Sequence, residues 1–364
     1  MTVPTDSLDP RPETEPGDAR AGADDTLVDV GIPTLGSLPH LIESIESVLA
    51  QTLPTWRLVI SENGPGEDDV RKALAPYLED PRVHHVITGK RVGRGENWTN
   101  LIRAGSAPYV GLLHDDDRWE PGFLERRVAF LEDHPACGFA FSEYVVIDGE
   151  GKRVAGSRLK LTEGVQSSSA LFPDLYERMV IAAPTVLVRR TAYEAVGATY
   201  KEIIFSDHEM WIRLSASFDS GFLRVHDAEY RFHEEQTSST RVGKAAESLA
   251  VLEAVDDLPV PSSLRRPIKA EAMIWVALDA IELGSREEAK RYLKRAVSTG
   301  GLTLLRPRIA ARLCVAVTAL ATGRVGRAAV AQMRERRWQT RRRRGISFAE
   351  DIVQGDPSDW QERP

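Results

Sequence analysis

The sequence predicts an α/β fold, a mostly parallel sheet continued by an α-helical C-terminal extension. Three observations carry this. From Leu27 to Leu113, apolar runs of strand length alternate with helically spaced segments. That order builds a parallel sheet with right-handed crossovers. The fourth run, Tyr109–Leu113, leads into three consecutive acids, Asp115, Asp116 and Asp117, and open α/β sheets bind ligands at the carboxyl ends of their strands. From about Ala245 the chain becomes Ala-, Leu- and Arg-rich with helical spacing.

Residues 1–26 are rich in Pro, Asp, Glu, Gly and Ala, with almost no large apolar side chains. Such a segment buries too little surface to order itself and reads as a disordered tail. Leu27–Ile32 alternates as a strand. Ser37 and Pro39 suit the start of a helix, which Leu38, Leu41, Ile42, Ile45, Val48 and Leu49 continue. Arg57–Ser61 is a second strand, closed by the turn signal Glu62-Asn63-Gly64-Pro65. A helix from Glu67 to about Leu78, a strand Val83–Ile87 and a helix Glu96–Ala104 ending at Gly105 follow.

Beyond Pro121 a helix runs to Leu131, then a long strand covers Cys137–Ile147 and turns at Asp148–Gly151. Arg158–Ser169 has no period and reads as a loop. Pro184–Val188 reads as a strand, Arg189–Val196 as a helix closed by Gly197, Phe205–Ala216 as a helix, and Tyr230–Thr240 as polar and irregular. Helical segments then follow at Ala270–Leu283, Arg286–Val297, Pro307–Ala321 and Gly326–Arg337, separated by glycine turns. They suggest helical hairpins without a clean repeat. The division expected is 1–26 tail, 27–242 α/β domain, 243–345 helical domain and 346–364 loose tail.

The 364 residues carry a net charge of −7, which disfavours a nucleic-acid partner. Cys137 and Cys314 form no metal or disulfide pattern. No secretory signal is visible and the apolar run Leu313–Ala321 is too short to span a bilayer. A cytoplasmic protein is expected. The basic run Arg334–Arg344 reads first as a solvated helix face, second as a peripheral contact with an anionic membrane at the inner face, and third as a nucleic-acid contact.

Three adjacent carboxylates repel one another unless a cation or helix N-termini offset them. Mg²⁺ takes one or two carboxylates together with substrate phosphates. One reading of Asp115–Asp117 is therefore a metal–diphosphate site; the other is a solvated acidic turn before Pro121.

Seven ordered motifs decide more than this stretch alone. Ile32-Pro33-Thr34 is followed by Ser47-Val48-Leu49-Ala50-Gln51-Thr52 and Glu62-Asn63-Gly64. Gly95-Glu96-Asn97-Trp98-Thr99-Asn100 comes next, then His114-Asp115-Asp116-Asp117-Arg118-Trp119-Glu120-Pro121. Ser206-Asp207-His208-Glu209-Met210-Trp211-Ile212-Arg213-Leu214 and Tyr230-Arg231-Phe232-His233 close the set. Over Leu27–Thr240 this order resembles the family 2 glycosyltransferases, which have a GT-A fold: a nucleotide-sugar-binding, Rossmann-like, mostly parallel sheet. The sequence departs from the family at Glu62 (usually Asp), at His114 (the first Asp of D-x-D-D) and at Ser206 (usually Glu).

The resemblance implies an inverting transferase that moves a sugar from a UDP-, GDP- or dTDP-linked donor to a glycan, lipid-linked or small-molecule acceptor hydroxyl. Thr34 and Glu62 would meet base and ribose, though Glu62-Asn63-Gly64 also suits a plain turn. Arg94 and Asn97 would meet nucleotide or phosphate; Arg91 and Arg94 equally suit a solvated loop. Mg²⁺ or Mn²⁺ would bridge the donor phosphates. Asp115 and Asp117 would hold it as a D-x-D pair, or Asp116 and Asp117 as neighbours, with Asp115 and Asp116 also facing the nucleotide sugar. His114 is either a neutral ligand or the end of the strand. His233 would complete the metal shell, and Arg231 and Arg241 are candidate phosphate partners.

Asp207 is implied as the general base. The alternative is local: Ser206-x-x-Glu209 has the form of a capping box, with Asp207 favoured by the helix dipole. Trp211 suits the core better than an acceptor platform. Two rivals remain. A sugar nucleotidyltransferase needs a glycine-dense loop after the first strand, and Gly31–Gly36 reads GIPTLG. A non-catalytic scaffold needs neither the acid cluster nor Asp207, yet both are present.

Overall fold

The computed structural model describes residues 25–36, 38–232, 243–343 and 352–354. Strand β1 (Val28–Thr34) leads to α1 (Leu38–Leu49), β2 (Trp56–Glu62) to α2 (Asp68–Leu74), β3 (Val83–Ile87) to α3 (Arg94–Arg103), and β4 (Tyr109–Leu112) to the acidic loop. The expected alternation is present. Helix α2 is shorter than expected because Pro76 interrupts it, leaving a 3₁₀ turn at Tyr77–Glu79. Ser37 lies outside the described residues.

The chain continues through β5 (Arg118–Trp119), α4 (Phe123–Asp133), β6 (Cys137–Ile147), β7 (Arg153–Ser157), β8 (Gly164–Gln166) and α5 (Ser168–Glu177). Then come β9 (Leu187–Arg189), α6 (Arg190–Val196), α7 (Ser206–Ser217) and β10 (Asp219–Arg231). Three of these depart from expectation. The loop expected at Arg158–Ser169 contains β8 and the start of α5. The strand expected at Pro184–Val188 opens as a 3₁₀ turn, so pairing begins only at Leu187. The 13-residue β10 carries six charged or His side chains and shows no period.

The sheet runs β7-β6-β9-β4-β1-β2-β3, with β10 also pairing β6. Strands β3, β2, β1 and β4 are parallel, whereas β9 is antiparallel to both β4 and β6. Both faces are covered, so the central strands are apolar on both sides. In β2, Leu58 and Ile60 join one core with Leu41, Ile45 and Phe123, while Val59 joins the other with Trp98, Met210 and Trp211. Because β1 neighbours β2 on one side and β4 on the other, the crossovers diverge at the β1/β4 edge. Ligands of such sheets bind at that edge, and Thr34 and the acidic loop both sit there.

Helices α8 (Lys244–Ala254), α9 (Ser262–Leu283), α10 (Arg286–Gly300), α11 (Pro307–Ala321) and α12 (Arg324–Arg343) form the extension. Gly284, at φ +81°, ends α9 in the left-handed conformation and turns the chain into α10. Ile274, Ala277, Leu278, Ala289, Leu293, Ala316 and Val330 form a separate apolar cluster among these helices. The tail expected to be loose contains β11 (Ile352–Gln354), which pairs antiparallel with β7. Residues 1–24 and 355–364 lie outside the described residues, as do Arg344 and the side chains of Arg341–Arg343.

Candidate active site

The acidic loop is held from below by α1. Ser44 Oγ donates to Asp117 O at 2.7 Å, and Trp119 N donates to Ser47 Oγ at 3.2 Å. Gln51 Nε2 donates to Glu120 O at 2.9 Å, and its Oε1 accepts from Leu124 N at 3.0 Å. The Ser47–Thr52 motif therefore fixes the backbone that follows the acids. Trp119 is locked in turn, stacked on Phe123 with its indole N–H donating to Pro184 O at 2.6 Å.

The loop is clamped from the side by fully buried Arg231. Its N–H donates to Asp117 Oδ1 at 2.8 Å, its Nε to Asp116 O at 2.7 Å and its Nη2 to Glu43 Oε2 at 2.6 Å. This corrects the phosphate role considered for Arg231, because its guanidinium is directed at the loop backbone and Glu43. Arg118 adds a second tie, to Glu229 at 2.6 Å and Glu43 at 2.9 Å.

The three acids diverge. Asp115 Oδ2 accepts from Thr34 Oγ1 at 2.6 Å, tying β4 to β1. His114, Asp116 and Asp117 instead bring one ligand atom each within 4.8 Å of one another. Of the residues in the two registers considered, the neighbours Asp116 and Asp117 lie together with His114, while Asp115 bonds Thr34. Asp117 is fully buried, and its Oδ2, 3.5 Å from His114 Nδ1, has no hydrogen-bond partner. Burial and the adjacent Asp116 push its carboxyl above the ordinary range. Burial opposes the charged form of His114, but Asp117, Asp116 and Asp207 outweigh it and raise the imidazole pKa. A buried carboxylate oxygen without a partner, beside a second carboxylate and an imidazole, fits a divalent cation.

Helix α3 brings the distant chain to this point. Gly95 leaves room for the 200–201 backbone: a Cβ there would lie 2.6 Å from Lys201 O and 2.7 Å from Tyr200 O. Tyr200 N donates to Thr99 Oγ1 at 3.0 Å, and Glu202 caps the helix by accepting from Glu96 N at 2.7 Å. Trp98 then touches both sides, its ring 5.1 Å from His114 and 5.0 Å from Tyr200. The residues that follow enter α7, whose second residue is Asp207. Asp207 is buried, which raises its pKa; His208, His114 and Arg94 partly offset the rise. His114 thus interacts electrostatically with Asp116, Asp117 and Asp207.

Other predicted residues do structural work. Asn97 is buried and accepts from Ser61 Oγ at 2.6 Å, fixing α3 to the end of β2. Arg94 Nη1 donates to Ile204 O at 3.3 Å, steadying the approach to Asp207. Glu62, beside Thr34 in the β1–β2 register, accepts from Glu67 N at 2.6 Å and meets His85 Nε2 at 3.0 Å. The turn chemistry at Glu62-Asn63-Gly64 is therefore real. The capping box is not: Phe205 is the N-cap, Ser206 Oγ is buried without a partner, and Glu209 pairs with Arg213 at 2.5 Å. Trp211 is buried against Phe139, as a core residue. Arg91 is exposed. His233 and Arg241 lie outside the described residues. Single-sequence reasoning missed the ties from Ser44, Ser47, Gln51 and Arg231; the polar stripe along one side of α1 was the available signal.

A GT-A sheet with an acid-rich loop at the end of β4 is the architecture of a glycosyltransferase. Residues 29–197, a little under half of the chain, match Glycosyl transferase family 2. TuaG of Bacillus subtilis, assigned as a teichuronic acid biosynthesis glycosyltransferase, is 24% identical over 64% of this chain and 89% of its own length. Among solved structures, S. aureus TarS 1-349 in complex with UDP-GlcNAc has a TM-score of 0.56 at 14% identity, over 88% of this chain and 93% of its own. The mannosyltransferase PcManGT from Pyrobaculum calidifontis, in complex with GDP-Man and Mn²⁺, has a TM-score of 0.51 at 16% identity, over 86% of each chain.

Proposed function

We propose that this glycosyltransferase moves a sugar from a nucleoside diphosphate donor to an acceptor hydroxyl with inversion at the anomeric carbon, and that Asp207 is the general base. The observation that supports this best is that Trp98, whose ring lies 5.1 Å from His114 of the acidic loop and 5.0 Å from Tyr200, links that loop to the segment that enters α7, where Asp207 lies about ninety residues further along the chain and interacts electrostatically with His114.

Asp207 takes the proton from the acceptor hydroxyl as that oxygen bonds the anomeric carbon. The bond from that carbon to the diphosphate oxygen breaks on the opposite face. Burial raises the carboxyl pKa and so strengthens it as a proton acceptor; such a transfer contributes about 10²- to 10⁴-fold. Asp116 and Asp117 would hold Mg²⁺ or Mn²⁺, with His114 adjoining and His233 a further candidate ligand. The bound cation would neutralise the charge that develops on the leaving diphosphate. Thr34 and Asp115, tied together at the β1/β4 edge, would border the nucleotide, with Glu62 alongside. The TarS and PcManGT complexes support a UDP- or GDP-linked donor; a dTDP-linked donor has the same diphosphate chemistry.

A panel of UDP-, GDP- and dTDP-sugars, with and without Mn²⁺, tests the reading by thermal shift and by release of nucleoside diphosphate. One donor should raise the melting temperature in a metal-dependent way and release its nucleotide. If no sugar nucleotide binds, the non-catalytic scaffold replaces this reading.

A further inference from the structure

We infer that the helical extension docks on an anionic lipid surface through the outward face of α11, a contact independent of the transfer chemistry. Helix α11 buries Ile309, Ala316 and Ala319 against the neighbouring helices. Its opposite side, Ala311, Cys314, Val315, Thr318 and Ala321, follows helical spacing and is exposed throughout. From Ala311 onward that side carries no charge, in a helix about 22 Å long; Arg308, one turn earlier on the same side, pairs with Glu271 at 3.2 Å. A helix apolar on both sides ordinarily has a cover on both. Leu302 (86% exposed) and Leu305 (75%) precede it, and Val325 (75%) follows it.

The charge around this face selects the cover. No Asp or Glu lies between Glu288 and Glu335. Residues 289–344 hold 16 Lys and Arg against one acid, in a chain whose net charge is −7; among the described residues six of them, Lys290, Arg291, Arg295, Arg308, Arg312 and Arg334, pair with acids of neighbouring segments, and the others carry the excess. Exposed Arg306 and Arg308 stand at the start of α11, and exposed Arg324 and Arg327 just past its end. A second copy of the chain would set two strongly basic surfaces against each other. A nucleic acid would answer the charge and leave the apolar side chains wet. An anionic bilayer answers both, with cations at the headgroups and the apolar face at the acyl boundary. The contact inferred is one at the bilayer surface; among the described residues no helix is long and apolar enough to cross a membrane.

Co-sedimentation of the full chain with vesicles tests the inference. Vesicles of phosphatidylcholine with about 30% phosphatidylglycerol should retain it about tenfold better than phosphatidylcholine alone, and ~0.5 M NaCl should abolish most of the difference. L302D and V315D should each lower retention several-fold. L78D, at an exposed leucine outside the extension, should leave it unchanged. All three should keep metal-dependent release of nucleoside diphosphate in vesicle-free buffer, so docking and transfer are read separately. Equal retention on both vesicles, or anionic retention indifferent to L302D and V315D, overturns the proposal. So does self-association, or binding to duplex DNA, that those two substitutions remove.

Discussion

Two buried aspartates show how differently this sheet treats its acids. Asp227, in β10, meets Arg127 at 2.8 Å and Arg126 at 2.8 Å, and Ser142 Oγ donates to it at 3.1 Å. Burial opposes its charge, but the two guanidinium groups win and hold its carboxyl below the usual range. Asp117, at the end of β4, meets one backbone N–H, an imidazole and a second carboxylate, and is pushed above that range. The first region is electrostatically complete and holds α4 to the strands. The second is incomplete, and buried acids left that way concentrate where chemistry is done. Substitutions should therefore separate the two: stability should fall in one region, activity in the other.

The largest effect is expected at Asp207. Asp207→Asn should keep donor affinity, melt no lower than the parent, and lose about 10²- to 10⁴-fold in kcat. Unchanged transfer would remove it from the base role. Because burial raises its carboxyl above the ordinary 3.8, and the ionised form is the active one, kcat/KM should fall as pH drops through that raised value. The acid limb should thus lie above 3.8, and Asp207→Asn should abolish it.

Asp227→Ala comes next, and its effect is on folding. Removing one partner of a buried ion pair costs about 3–5 kcal/mol. A carboxyl depressed in the folded state stabilises above its unfolded pKa and loses that contribution as pH falls through the folded one. The gap between parent and variant, measured by urea unfolding, should be full at neutral pH and narrow below the ordinary carboxylate value of 3.8. An equal gap at every pH would assign the loss to packing.

Asp117→Asn should act in the opposite sense. It removes a like-charge contact with Asp116, so stability should hold or rise, while Mn²⁺ affinity by titration calorimetry should fall about tenfold or more. Undiminished Mn²⁺ binding would take Asp117 out of the metal site.

The same contrast explains what the sequence made legible. The strands β1, β2 and β4 are buried on both faces, so apolar residues dominate them, while β3 at the sheet edge is half-exposed and shows only in Val83, Val86 and Ile87. The glycines mark turns whose chemistry is local; Pro76 carries the same kind of signal, but the expected helix runs across it to Leu78. Strand β10 escaped because its sequence, DSGFLRVHDAEYR, is that of a surface segment. Its charges are buried only because Arg126, Arg127, Arg118 and Arg153 come from elsewhere to meet Asp227 and Glu229. Partnership across a hundred residues leaves no spacing to read. The same holds for Arg231, whose type suggested a phosphate and whose position gave it to the acidic loop. Asp117 and Asp207 were visible through motif order, and their convergence needed the fold.

The smallest effect is expected at Glu62, where a ribose contact and turn chemistry compete. Its carboxylate already accepts from Glu67 N and from His85. Each carboxylate oxygen has a second lone pair, so a ribose hydroxyl is not excluded. Glu62→Gln keeps an acceptor for the Glu67 N–H and removes the charge facing His85. If the side chain serves only the turn, stability should fall by about 1–2 kcal/mol with donor KM changed less than about twofold. If it also holds the ribose, donor KM should rise about tenfold at unchanged kcat, the signature of lost uniform binding. Comparing the variant with UDP-sugar and with the matching 2′-deoxy donor sharpens this. A ribose contact predicts that the penalty shrinks on the deoxy donor, whereas a turn contact predicts the same small change on both.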